Sequence, residues 1–104
     1  MVVLMTAPDE ATGADLATRL VEERLAACVN IVPGIRSVFR WEGRIQDDAE
    51  VMLVGKTVAS SLDALRARVL QLHPYDVPEL LALPVAHGNG SYLDWVREEV
   101  RSTA

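Results

Sequence analysis

The sequence predicts an α+β fold with helices on one face of an antiparallel sheet. Three observations predict it: apolar runs and helical stripes alternate in the order β-α-β-β-α-β, two strand-like stretches meet at a tight turn, and a further amphipathic segment closes the chain. The chain has 104 residues, near the commonest size for one domain, so residues 1–104 are expected to form a single domain.

The first strand is expected over residues 1–6, where the apolar run Val2 to Met5 ends at Ala7-Pro8-Asp9. A helix follows from Asp9, a favourable N-cap, with Leu16, Leu20, Val21 and Arg24 at helical spacing and Asp15, Arg19, Glu22 and Glu23 turned outward. Thr12 with Asp15 offers an alternative capping pair, and Gly13 weakens the first turn. Cys28 to Trp41, rich in β-branched and aromatic residues and interrupted by Pro33-Gly34, reads as one long strand with a bulge or bend. Glu42-Gly43 supplies a two-residue hairpin turn. The return strand holds Arg44 and Ile45, is broken by Asp47-Asp48, and resumes from Val51 to Lys56.

Ser60 with Asp63 forms a candidate capping box for a second helix, whose stripe of Leu62, Leu65, Val69 and Leu72 must stop at His73-Pro74. Residues 79–85 read as a fourth strand, confined by Pro78 and Pro84 to an edge or a strand end, and Asn89 or Ser91 opens the last helix. This order is the ferredoxin-like, split β-α-β sandwich with a long β-hairpin and an extra C-terminal helix. Its second sheet face has no helix to cover it. A chain this short buries roughly 60 to 65% of its unfolded surface, yet 50% of its residues are hydrophobic. Self-association is the expected outlet for that excess.

The formal charge is −5, and basic residues stand singly among acids, which argues against nucleic acid as a partner. The N-terminal apolar run lacks a basic segment before it, which is wrong for a signal peptide, and no run approaches the ~20 residues needed to span a bilayer. Cys28 is the only cysteine, so no intrachain disulfide can form, and a lone thiol fits a reducing, cytoplasmic setting.

Five segments, in order, resemble the signatures of the CutA1 divalent-ion-tolerance family: LAACVNI at 25–31, FRWEGRI at 39–45, Gly55-Lys56-Thr57, HPYDVPE at 73–79 and YLDW at 92–95. The resemblance covers essentially the whole chain. It departs from the family at Phe39, where Tyr is frequent, and at Gly55, where a larger apolar residue is common. It implies a homotrimer whose hairpins extend the sheets across subunit boundaries, a fold similar to that of PII signalling proteins, and a role in tolerance of divalent cations, particularly copper.

The candidate metal ligands are Cys28 and His73, because thiolate and imidazole together suit copper or zinc; they lack local metal-site spacing, so only the fold or the trimer could join them. Against this stand structural readings, a buried small cysteine at a helix-to-strand junction and a histidine that caps a helix C-terminus. His87, beside Gly88, reads as an exposed loop residue. Lys56 is the single lysine among ten basic residues. It is expected either to pair with a carboxylate such as Glu50 or Glu79 or to hold a small anionic ligand between subunits. Gly55-Lys56-Thr57 is no phosphate loop, since Glu50 stands where the first glycine belongs. Trp41 and Tyr75, beside Glu42 and Glu79, are candidates for a ligand site at a subunit boundary, whereas Tyr92 and Trp95 read as core or interface.

These residues carry two functional readings, a metal-binding tolerance protein and a regulator that binds an anionic effector in inter-subunit clefts. An enzyme with Cys28 as nucleophile and His73 as base has no supporting motif, so the expectation is a non-enzyme with no cofactor required for folding. An RNA-binding domain of the same strand order is disfavoured by the acidic charge.

Overall fold

The computed structural model describes residues 1–100. The elements are β1 (Val2–Ala7), α1 (Glu10–Glu22), β2 (Cys28–Trp41), β3 (Arg44–Lys56), α2 (Leu62–Leu72), β4 (Leu80–Leu83) and α3 (Gly90–Glu99). The four strands form one sheet in the order β2-β3-β1-β4, every pair antiparallel. This is the expected ferredoxin-like topology: β3 lies between β1 and β2, splitting the β-α-β unit.

Side chains alternate across a strand, so each sheet face can be read from register. Val3, Met5 and Ala7 of β1 and Val51 and Leu53 of β3 point to one face, where Leu16 and Leu20 of α1 and Leu65 and Val69 of α2 close the core. Burying each of the Val, Leu and Met side chains stabilises by about 1.5–3 kcal/mol. Asp9 caps α1 by accepting from the Thr12 amide at 2.7 Å, so the Thr12–Asp15 pair is not the cap. Gly13 has a packing role that its low helix propensity conceals. A Cβ there would lie 2.9 Å from Val51 Cγ2, so glycine lets α1 approach the sheet.

The hairpin turn matches expectation: Glu42 (φ 51°) and Gly43 (φ 76°) both adopt the left-handed region, as a two-residue primed turn requires. The bulge falls between Val32 and Ile35, with Gly34 at φ 72° and Pro33 lacking the amide that a ladder would need. The expected break at Asp47-Asp48 does not occur. β3 runs unbroken because this half of the hairpin is solvent-exposed and Arg36, across the ladder, grips the Asp47 carboxylate with contacts of 2.7 and 2.6 Å. That bond holds Asp47 below the usual carboxylate range.

Two boundaries differ and one matches. A 3-10 turn at Ala59–Ser61 precedes α2, so the helix begins at Leu62 instead of after a Ser60 cap. α2 stops at Leu72, as His73-Pro74 demands. β4 is four residues long, paired with β1 alone, and Pro78 and Pro84 lie outside it.

The other sheet face carries Val2 and Leu4, Met52 and Val54, and Leu81 and Leu83, adjacent in register across three strands. Leu81 and Leu83 are 56% and 47% exposed. α3 packs Val96 and Val100 against Ala27 and Val58, where β2 begins and β3 ends. Tyr92 and Trp95 stay exposed on it, their rings 5.6 Å apart, outside the core of the chain. Among the described residues no helix is long and apolar enough to cross a membrane.

Candidate functional site

Cys28 and Lys56 face each other across the β2–β3 ladder. Asn30, two residues along on the same face, accepts a hydrogen bond from the Lys56 ammonium and lies 3.9 Å from Cys28 Sγ. The expected carboxylate partner for Lys56 is thus replaced by a neutral amide. Glu50 sits six residues back on β3, roughly 20 Å away at the rise of an extended strand. Asn30 was legible in principle as a polar residue in an apolar strand. The Cys28 thiol is free and half-buried.

A groove of about 480 Å³ adjoins this corner, lined by Lys56 and Thr57 of the β3 end and by Tyr92, Leu93 and Arg97 of α3. The Met1 ammonium donates to the Thr57 carbonyl at 3.0 Å, and the Thr57 hydroxyl donates to the Leu25 carbonyl at 2.7 Å, which fixes the groove wall. Two cationic side chains with apolar surroundings suit a small anion.

His73 lies at the other end of the sheet. Its Nε2 is 2.7 Å from the Thr6 carbonyl, and its Nδ1 accepts from the Tyr75 amide at 3.1 Å. These contacts assign the ring proton to Nε2 and leave no nitrogen lone pair for a metal. Cys28 is level with Val2 and His73 with Thr6, four residues apart along β1, or about 13 Å, with two strand spacings added sideways. One chain therefore does not join them. Among the described residues no group of three or more His, Cys, Asp or Glu side chains converges as a metal site.

Tyr75 and Trp41 do come together, in a second groove of about 460 Å³ between the outer hairpin and the loop after α2. The Tyr75 hydroxyl donates to Glu50 at 2.8 Å, and Glu50 is only 7% exposed. Burial first, and then this hydrogen bond, pushes the Tyr75 phenol up to about 12. Glu42 occupies the hairpin turn and Glu79 is exposed just before β4; neither lines the groove. The role of Glu50 beneath Tyr75 escapes sequence reasoning, because the two are brought together only by the turn of the chain at His73.

A family model described as CutA1 divalent ion tolerance protein matches residues 1–99. The divalent-cation tolerance protein CutA of Thermus thermophilus is 55% identical over 97 residues, covering 93% of this chain and 94% of that protein. The chloroplastic protein CutA 1 of Oryza sativa is 50% identical over 103 residues, 99% of this chain, which spans 58% of the rice protein. The solved structure of the divalent cation tolerance protein from Thermus thermophilus superposes with a TM-score of 0.94 at 53% identity, over 96% of this chain and 97% of that one.

Proposed function

Because the chain belongs to the CutA1 divalent-ion-tolerance family, we propose that it serves divalent-cation tolerance as a cytoplasmic homotrimer, with copper as the cation and Cys28 as its contact. The observation that carries this reading is the sheet face turned away from α1 and α2. Its apolar side chains call for a covering partner, and the Cys28–Asn30–Lys56 corner lies on the same face. Each chain supplies one soft donor there, so a closed copper site needs thiolates from more than one subunit. His73, the other candidate ligand, has both ring nitrogens engaged, so its part in this reading is to anchor the loop that carries Tyr75. The reading is non-enzymatic, since a nucleophile and its base must lie within hydrogen-bond reach and Cys28 and His73 do not.

Titration of the intact protein and of Cys28→Ala with Cu(I), under a competing chelator, tests it. Loss of tight binding in the variant is expected; equal binding by both proteins overturns the copper contact.

A second reading follows from Lys56 and Arg97 both lining the groove beside α3, with Arg97 also bonded to Asp94 at 2.9 Å: a regulator that holds a small anionic effector there. A thermal-shift screen with nucleotides and dicarboxylates should give a stabilising hit that Lys56→Ala abolishes. A hit that survives in Lys56→Ala, or none at millimolar concentration, removes this reading.

A further inference from the structure

We propose that the groove between the outer hairpin and the loop after α2 binds a small organic cation, an alkylammonium whose apolar body lies against Phe39, Trp41 and Tyr75 and whose charge is met by Asp48 and Asp76. The chain has two Trp, two Tyr and one Phe, and three of these rings gather in this one concavity. They remain 40%, 45% and 37% exposed, in the order named. Single exposed apolar side chains are ordinary, but three aromatic walls around one groove of small-ligand size mark a binding site.

Charge selects the ligand class. The lining holds Asp48 and Asp76 and no lysine or arginine. Beneath it the buried Glu50 carboxylate is tied to the Tyr75 hydroxyl, and the charges of Glu50, Asp48 and Asp9 all bear on that phenol. An anion would be repelled. A neutral apolar ligand would desolvate the two aspartates without neutralising them. A hydrated metal ion would gain nothing from the rings, whereas an alkylammonium uses both features, because ring faces attract cations that have shed water. The site is independent of the copper reading: Phe39 stands eleven residues beyond Cys28 on β2, roughly 35 Å at the rise of an extended strand.

Calorimetric titration of the full-length protein with tetramethylammonium chloride tests the proposal, with sodium chloride at equal ionic strength and tert-butanol as the neutral control. Saturable binding is expected for tetramethylammonium, at least tenfold weaker for tert-butanol and at least tenfold weaker in the double variant Asp48→Asn, Asp76→Asn. Trp95→Phe leaves Trp41 as the only indole, and its emission should respond over the same concentration range. Equal affinity for tert-butanol, undiminished binding in the double variant, or a response no larger than that to sodium chloride overturns the proposal. So does a blue-shifted Trp41 emission that ignores every titrant while the protein is assembled, since another copy of the chain would then fill the groove.

Discussion

At the scale of single residues, the most consequential contact is the Tyr75–Glu50 hydrogen bond, because it holds a carboxylate out of water. Tyr75→Phe removes the donor and leaves that carboxylate without its phenol partner, which should cost about 1–3 kcal/mol in urea unfolding at neutral pH. The pH dependence has a definite sign. The folded phenol titrates near 12 against an ordinary value of 10.0, so its contribution is whole below pH 10 and is lost as pH rises through 12. Urea midpoints measured from pH 9 to 12 should therefore fall more steeply for the native chain than for Tyr75→Phe; parallel slopes would show that the phenol is not coupled to folding. Sequence sets Trp41 next to Glu42 and Tyr75 next to Asp76, which marks both as candidates. It cannot indicate that they share a groove, because that follows from where His73 ties the loop to Thr6, a bond between a side chain and a distant backbone carbonyl.

At the scale of elements, packing overrides intrinsic preference at Gly13. Alanine there would gain about 1 kcal/mol of helix propensity, yet its methyl would meet the stiff, buried Val51 side chain at 2.9 Å. Overpacking of this kind costs about 1–3 kcal/mol. Gly13→Ala is thus expected to lower the thermal midpoint, and an unchanged or raised midpoint would show that α1 can retreat freely. In the hairpin, Gly43 is held at φ 76°, which a β-branched residue tolerates poorly, so Gly43→Val should destabilise by about 1–2 kcal/mol. Arg36→Ala, by contrast, breaks an exposed ion pair and should change stability by less than about 1 kcal/mol. The turn and the bulge are legible in the sequence because glycine and proline write backbone constraints directly. The unbroken ladder through Asp47-Asp48 is not, because Arg36 reaches Asp47 diagonally from its place opposite Ala49, and register emerges only when the strands pair.

At the scale of the whole molecule, element order and the period of the apolar residues already specify the sheet and the face its helices cover. For the other face, the proposed homotrimer makes a separable prediction. Leu81 sits on edge strand β4 and is 56% exposed, so within the chain a charge at this position disturbs little packing. Buried against a second copy, the same charge would be desolvated without a partner. Light scattering on the native chain should give three times the 11.4 kDa chain mass. Leu81→Asp should shift the population toward single chains while far-ultraviolet circular dichroism keeps the native helix and strand content. The variant's thermal midpoint should also lose the concentration dependence expected of an assembled protein. A variant that keeps the native mass and midpoint would show that this face is not the one the subunits share, and the copper reading at Cys28, on the same face, would lose its support with it.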